Sequence, residues 1–259
     1  MIALAVAQLH ERRRSLLSWG VPIGLFSAFI VGIYPSVEDA LAKAISNYPT
    51  ALKEAFGIGE LTTVEQYLHA EMLSLIVPLA VAYLAVRSIA STLSGASESG
   101  RLDVLLSAPV SRRGLVAAGF SATAVELGAV LAVALILTLL GSLITGAGLS
   151  FGLALAGFAN VWPLALLSAA LGIVVTGFSL RTNVVTGSVA GVVVAMYVVD
   201  LLGRLDPGLD GVRYVSVFRY YGTAVDNGID PLSFIGVTAV AALLASIGTV
   251  LFERRDLVR

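Results

Sequence analysis

Cysteine is absent from this chain, and lysine and histidine are nearly absent. The 259 residues include no cysteine and two histidines, so the chain can form neither a disulfide nor a thiolate metal site. The only lysines are Lys43, followed by alanine, and Lys53, followed by glutamate. A P-loop needs Gly-Lys followed by Ser or Thr, because backbone amides and the lysine together hold the phosphates. The sequence therefore has no such ATPase site, and we expect that this chain is not an enzyme.

Charge of either sign is also scarce. Charged residues make up 13% of the chain and the net charge is -1. No basic face interleaved with aromatic residues is present, which excludes nucleic acid as a partner. Hydrophobic residues make up 58%, and the mean hydropathy is +0.93. Ordinary soluble domains do not have this composition, so the sequence predicts an integral membrane protein.

Apolar runs long enough to cross a bilayer, which takes about 20 residues, occur six times. They cover residues 16–34, 72–93, 115–144, 151–180, 184–202 and 232–252. The third and fourth runs are each about 30 residues long, so we expect them to tilt, kink or project beyond the bilayer. Four glycines, Gly141, Gly146, Gly148 and Gly152, predict a tight turn between them. We predict one all-α transmembrane domain over residues 1–259.

The positions of the arginines predict the orientation, because cytoplasmic loops hold an excess of Lys and Arg. If both termini are cytoplasmic, the inner side holds Arg12, Arg13, Arg14, Arg87, Arg101, Arg112, Arg113, Arg181, Arg254, Arg255 and Arg259. The outer side then holds Lys43, Lys53, Arg204, Arg213 and Arg219, in the longer loops 35–70 and 203–231. We therefore expect a multi-pass protein of the cell membrane with cytoplasmic N- and C-termini.

Three segments outside the spans have patterns of their own. In residues 1–14, apolar residues recur about one turn apart before a basic cluster, which predicts a helix on the inner membrane surface. By itself, this pattern would equally suit a simple lipid anchor. The loop 35–70 predicts short helices that cap the outer mouth. In the loop 203–231, the aromatic residues favour anchoring at the membrane interface over a role in substrate exit.

A short charged segment, Glu98 to Arg113, separates the second run from the third. Leu102, Leu105 and Leu106 share one face of a helix, and Pro109 ends the pattern after about two turns. This helix is too short to cross a bilayer. Its amphipathic form suits docking into a groove of a cytosolic partner, and a solvated loop is the alternative interpretation.

The segment resembles the signature of type-2 ABC exporter permeases, which lies between the second and third spans. The signature is close to E-x-x-G-[TR]-L-[ED]-x-L-L-[SA]-x-P-[VL]-[ST]-R. The matching residues are Glu98, Gly100, Leu102, Asp103, Leu105, Leu106, Ser107, Pro109, Val110, Ser111 and Arg112, and Arg101 stands where threonine is frequent. The loop 35–70 is also similar to that of antibiotic and multidrug exporters, at Tyr48-Pro49, Phe56-Gly57 and Tyr67-Leu68.

This resemblance implies an exporter whose energy comes from other subunits. Residues 98–113, including Arg101 and Arg113, would form a cytosolic coupling helix, and residues 1–14 an elbow helix near the ATPase. The partners implied are two cytosolic ATP-binding cassette subunits, which hold ATP and Mg, and a second permease copy or a homologous permease. Because the spans offer few polar contacts, we expect a hydrophobic or amphiphilic cargo, such as an antibiotic, drug or lipid. We expect this chain to bind no cofactor and no metal itself.

Glu126 is the only acidic residue deep within a predicted span, where a charge is costly and usually functional. It is a candidate for binding a cationic substrate, for carrying a proton, or for a structural hydrogen bond to a hydroxyl such as that of Thr123 or to a neighbouring helix. Two alternative functions stay open. One is an ion-gradient-driven transporter that uses Glu126, and the other is a non-transporting membrane scaffold.

Weaker patterns have mainly structural interpretations. Arg87 is expected in the last turns of the second span, where its side chain can reach the inner headgroups. Asp200 and Arg204 are spaced as an ion pair on one helix face. Glu65 and His69 share a helix face but lack a third metal ligand, and His10 lies on the opposite side of the membrane, which excludes a zinc-hydrolase site. The Gly187-x-x-x-Gly191 motif predicts tight helix packing, within the chain or between two copies.

Overall fold

The computed structural model describes residues 13–46, 49, 63–98 and 111–254. Within these ranges the chain is helical and contains no strand. A helical turn at Arg13–Ser15 and a π-helical turn at Leu16–Gly20 lead into α1. The remaining elements are α1 (Val21–Ser46), α2 (Val64–Leu68), a π-helical turn (His69–Leu73), α3 (Ile76–Glu98), α4 (Arg112–Thr145), α5 (Phe151–Thr176), α6 (Thr182–Leu205), a 3₁₀ segment (Pro207–Val215), α7 (Val217–Tyr221), α8 (Ala224–Asn227) and α9 (Pro231–Arg254).

Six of these helices are long and apolar enough to cross a membrane, which confirms the predicted all-α, six-span fold. The membrane-length segments are Leu16–Ala40, Ile76–Gly95, Arg112–Thr145, Phe151–Thr176, Thr182–Leu205 and Pro231–Arg254. The predicted interfacial helix falls mostly on residues 1–12, and the predicted coupling helix on residues 99–110. Both ranges lie outside the described residues.

Several helices, among them α1 and α5, end at other residues than the predicted apolar runs do. α1 continues through Pro35 to Ser46, although the predicted span ends at residue 34. Residues 36–46 are too polar to extend the apolar run, but many of them are good helix formers, so the helix does not end where the apolar run does. α5 ends at Thr176 instead of residue 180, because Gly177 bonds back to the last carbonyls.

α4 is the longest helix, and its length agrees with the expectation that it projects beyond the bilayer. Its 34 residues correspond to about 51 Å at the usual rise per residue. The hydrocarbon core of a bilayer is only about 30 Å thick. α4 ends at Gly146, which has φ +70°, and Gly148 has φ +77°. These left-handed conformations, which glycine adopts freely, make the tight turn into α5.

α5 lies at the centre of the bundle, in contact with α3, α4, α6, α8 and α9. It is the most buried of the six long helices, whereas α6 and α9 are the least buried. Glycine permits the closest approaches between helices. A Cβ on Gly248 of α9 would lie 2.7 Å from the backbone nitrogen of Val174. The exposed faces of α6 and α9 are therefore free for lipid or for another subunit.

The bundle has two ends, a signature end that contains Glu98, Arg112 and Arg254 and a far end that contains Gly146, Asp206 and Pro231. At the far end the segment 206–230 packs into the protein instead of forming only an exposed loop. Val225 of α8 lies against α5, where a Cβ on Gly157 would be 2.8 Å from the Val225 Cβ.

Candidate functional site

The signature residues at the start of α4 connect that helix to the end of α9. Ser111 caps α4, since its hydroxyl accepts a hydrogen bond from the Gly114 amide at 3.1 Å. The Arg112 Nη1 donates to the Glu253 carbonyl oxygen at 3.1 Å. The Arg113 Nε donates to the Glu253 carboxylate at 2.8 Å. The end of the signature thereby contacts two helices, α4 directly and α9 through Glu253.

This contact has a simple electrostatic reason. An arginine at a helix N-terminus and a glutamate at a helix C-terminus are each unfavourable next to their own helix dipole. In the antiparallel arrangement of α4 and α9, Arg113 faces the negative end of α9 and Glu253 faces the positive end of α4. No local pattern in the sequence points to Glu253 as a partner of Arg113, because 140 residues separate the two.

Most of the signature lies outside the described residues. Those positions are Gly100, Arg101, Leu102, Asp103, Leu105, Leu106 and Pro109. Glu98 is the last residue of α3, and Ser111 immediately precedes α4. Residues 99–110 thus connect the second and third long helices at the end of the bundle where Arg112 and Arg113 contact Glu253.

Glu126 is buried between α3 and α4. It is 3% exposed, and its Oε2 accepts a hydrogen bond from the Ser88 hydroxyl at 2.8 Å. Fourteen residues separate Glu126 from the start of α4, which is about 21 Å along the helix. The side chain therefore lies in the middle part of the helix and is bonded to its neighbour α3. Thr123, one turn earlier, is fully buried.

Arg87 precedes Ser88 and has an exposed side chain. The membrane-length part of α3 ends at Gly95, about two turns after Arg87, and the helix itself continues to Glu98. The sequence prediction ended this span at residue 93, where the apolar run ends, and did not foresee the helical continuation. Contact of Arg87 with lipid headgroups stays a prediction.

A network of five charged residues lies at the far end. Asp200 forms the predicted pair with Arg204, at 2.7 Å, and a second pair with Arg213, at 2.9 Å. Arg213 also pairs with Asp210, which pairs in turn with Arg219, both at 2.9 Å. Hydrogen bonds from Arg219 and Arg213 hold the pKa of Asp210 below its usual range. Only the pair within one helix was predictable, since the other contacts need the fold of segment 206–230.

The far end also contains buried polar contacts that sequence reasoning missed. The Tyr221 hydroxyl donates to the Leu73 carbonyl at 2.8 Å, and burial raises the pKa of Tyr221. The Asn160 side-chain amide donates to the Tyr221 carbonyl. These bonds hold α7 against α5 and against the π-helical turn before α3. The aromatic residues that predicted an interfacial belt thus include two, Phe218 and Tyr221, that are buried.

Glu65 and His69 do not form a metal site in the described part of the chain. The Glu65 Oε1 accepts a hydrogen bond from the Ser150 amide at 2.9 Å. His69 is buried, and burial together with the nearby Arg204 lowers its pKa to about 4. Among the described residues, no group of three His, Asp or Glu side chains is placed to hold a metal ion.

The Gly187-x-x-x-Gly191 motif faces away from the rest of the chain. A Cβ built on Gly187 or Gly191 would meet no described atom within 4 Å. By contrast, Gly172 of α5 packs against Ile89 of α3, where its Cβ would lie 3.5 Å away. In the described structure the motif thus makes no close packing contact within this chain.

Comparison of the sequence with known protein families finds a match. The family model described as "Multidrug efflux system permease Rv1217c, C-terminal domain" matches residues 2–253. A search of curated proteins finds no match. The match covers nearly the whole chain, including all six long helices and the signature segment. Together with these helices it identifies a membrane subunit of a transporter, and the chain belongs to the family of the multidrug efflux system permease Rv1217c C-terminal domain.

Proposed function

We propose that this permease is the membrane subunit of an ATP-driven exporter of the type-2 ABC class. The observation that carries the proposal is the signature segment 98–113, which connects two long helices at one end of the bundle. In the proposed complex this end faces the cytosol, together with both termini. Two separate ATP-binding cassette subunits, which hold ATP and Mg, dock there. The family match supports export as the direction of transport.

The contacts at the signature end support a mechanism of alternating access. Closure of the ATPases pushes on the short helix that the sequence predicts within residues 100–108. The push reaches α3 through Glu98 and α4 through Ser111, because these residues adjoin the helix ends. Arg112 and Arg113 extend it to α9 through Glu253. Packed helices respond by rigid-body tilting rather than by bending, so the bundle opens on the opposite side.

The proposed cargo is hydrophobic or amphiphilic, because the cavities of the described structure are mainly apolar. A groove of about 560 Å³ between α5, α6 and α9 is lined by side chains such as Leu167, Met196 and Val240. A second cavity, of about 360 Å³, lies between α4, α5 and α9 beside Trp162. Such surfaces bind apolar molecules without the loss of hydrogen bonds that a polar cargo would cause.

A second permease copy, or a homologous permease, completes the proposed complex. The exposed face of α6 with Gly187 and Gly191 supports this proposal, because small residues allow two helices to approach closely in a membrane. Exposed valines flank the glycines on this helix, at Val184, Val192 and Val194.

An ion-gradient-driven transporter is the second candidate function, and the burial of the Glu126 carboxyl favours it. In that mechanism Glu126 would bind the coupling ion or proton, and no ATPase would be needed. The hydrogen bond from Ser88 supports the other interpretation, that Glu126 joins α3 to α4. Substitution Glu126→Gln separates the two. It abolishes transport in the gradient-driven mechanism and preserves ATP-driven transport if the residue is structural.

Copurification tests the proposed function. The tagged permease is purified in mild detergent from its native membrane, and the proteins that accompany it in near-equal amounts are identified by mass spectrometry. We expect an ATP-binding cassette protein that is lost from the double variant Leu105→Asp, Leu106→Asp. The control variant Ile235→Asp, on the exposed face of α9 at the far end, should retain the ATPase. Absence of any ATPase, under conditions that preserve known membrane complexes, would favour the gradient-driven mechanism.

A further inference from the structure

Two cavities of different chemistry follow one another along the groove between α3 and α6. The cavity at the far end has a volume of about 260 Å³, and its lining includes His69, Glu71, Tyr197, Asp200 and Arg204. The next has a volume of about 180 Å³ and is lined by Leu79, Ala82, Tyr83, Val86, Ala190, Val193 and Val194. The two linings are adjacent on both helices, since Ile76 of the first cavity lies one turn before Leu79, and Tyr197 lies one turn after Val193.

His69 and Arg204 give the first cavity, the polar one, its hydrogen-bonding capacity. His69 is 4% exposed, and the described residues offer no hydrogen-bond partner to its ring. Arg204 contacts Asp200 through its Nε and Nη2. Its Nη1 has no partner among the described residues.

At the buried side of the polar cavity the charged lining residues are Asp200 and Arg204, and Asp200 also pairs with Arg213, which is not in the lining. The network that includes Arg204 contains three arginines and two aspartates. Glu71 also lines the cavity, but its side chain is exposed at the rim, where water screens its charge. The other titratable groups in the lining are the hydroxyls of Tyr197 and Tyr221.

We propose that the polar cavity binds the acidic group, a carboxylate or a phosphate, of an amphiphile whose apolar part lies in the adjoining cavity between α3 and α6. The Arg204 Nη1 and the His69 ring donate hydrogen bonds to the acidic group. The apolar part contacts side chains such as Leu79 and Val194. Burial and the charge of Arg204 lower the pKa of His69, and a bound anion would offset the second of these causes.

This site deepens the proposed function. If the permease exports amphiphiles, the polar cavity is the place where the acidic group of the cargo is held at the far end, and this interpretation rests on the proposed export. Binding itself needs neither ATP nor a partner subunit. A binding measurement on the purified permease therefore fails or succeeds independently of the copurification experiment.

Histidine NMR tests the site directly, because the chain has only two histidines. In the variant His10→Gln, labelled with [¹³C,¹⁵N]-histidine and purified in dodecyl maltoside, His69 gives the single imidazole signal. Dodecyl phosphate is the anionic probe, and dodecyltrimethylammonium has the same chain with the opposite charge. We expect dodecyl phosphate to shift the His69 signal saturably and to raise its pKa by one unit or more, and dodecyltrimethylammonium to do neither.

Variants and a second probe identify the contacts. Arg204→Gln should weaken dodecyl phosphate binding at least about tenfold, because it removes a charged donor. Arg204→Lys, which keeps the charge near Asp200, distinguishes a lost contact from a loss of folding. Arg219→Gln, in the same network but not in the cavity lining, should bind normally. Val194→Trp, which fills the apolar cavity, should weaken dodecyl phosphate but not inorganic phosphate.

Three results would overturn the proposal. The first is the absence of any saturable change with dodecyl phosphate. The second is an equal change with dodecyltrimethylammonium, which would mean that the alkyl chain alone perturbs His69. The third is inorganic phosphate binding as tightly as dodecyl phosphate, which would indicate a site for free anions and not for amphiphiles.

Discussion

Gly248 of α9 offers the sharpest test of how the bundle packs. A Cβ at this position would lie 2.7 Å from the Val174 nitrogen and 2.9 Å from the Ile173 carbonyl carbon. Both are backbone atoms of α5, so a side-chain rotation cannot relieve the contact. To restore a normal separation of about 3.5 Å, α9 and α5 must move apart locally by about 0.8 Å. We therefore expect Gly248→Ala to destabilise the permease.

The size of this destabilisation can be measured against a second glycine of the same helix, Gly236. Overpacking in a well-packed interior costs about 1–3 kcal/mol. Alanine also has a higher helix propensity than glycine, by about 1 kcal/mol. At Gly236 a Cβ would meet no described atom within 4 Å, so Gly236→Ala has the gain in propensity without the clash. Because that gain is common to both variants, we expect Gly248→Ala to be about 1–3 kcal/mol less stable than Gly236→Ala.

Unfolding in mixed micelles with increasing SDS, followed by the fluorescence of Trp19 and Trp162, measures this difference. Oligomeric state is checked by size-exclusion chromatography, since Gly236 lies on an exposed part of α9. A difference smaller than about 0.5 kcal/mol would refute the close approach of α9 to α5. A larger destabilisation of Gly236→Ala than of Gly248→Ala would refute it too, and would place α9 in another orientation.

Further predictions concern the other contacts described above. Ser88→Ala removes the hydrogen bond to the buried Glu126 carboxyl and should lower the free energy of unfolding by about 1–3 kcal/mol. The control Ser91→Ala, on the exposed side of the same helix, should change it little. Equal effects of the two substitutions would contradict the Ser88–Glu126 contact. Arg113→Glu or Glu253→Arg alone should impair transport, and the double variant should restore it. The free energy of unfolding should change by less than about 1 kcal/mol, because the Arg113 side chain is 70% exposed. Failure of the double variant to restore transport would argue against transmission through this pair. The pKa of His69 is lowered in the folded protein to about 4, so the folded state binds fewer protons than the unfolded state between about pH 4 and 6.5. The free energy of unfolding should therefore fall as the pH is lowered through this window, by up to roughly 3 kcal/mol. His69→Gln should remove this part of the pH dependence, and an unchanged profile would mean that His69 is not buried. Gly187→Leu should leave unfolding of the single chain unchanged but reduce dimers detected by cross-linking in native membranes; unaltered dimers would exclude this face of α6 as the contact.

The candidate site divides into contacts that follow from local spacing and contacts that do not. Asp200 and Arg204 are one helical turn apart, so their pairing depends only on α6 being a helix. Their partners Arg213, Asp210 and Arg219 approach them only because the 3₁₀ segment and α7 fold back onto α6. Gly203 has a role in this arrangement, because a Cβ there would collide with the Arg213 side chain. The spacing of residues in the sequence does not indicate the contact between Gly203 and Arg213.

The sequence by itself determined the class of this protein and the number of its spans. Burial in lipid requires about 20 consecutive apolar residues that satisfy their own backbone hydrogen bonds, and this requirement can be read locally, helix by helix. The same locality explains the errors: helix formation continued past the apolar run in α1 and α3, and Gly177 ended α5 early. Only the tertiary structure decided which side chains meet, as in the Arg113–Glu253 pair, the Ser88–Glu126 hydrogen bond and the cavity at His69. These contacts depend on the packing of helices that are distant in the chain, and packing is set by the complementary shapes of whole helix surfaces.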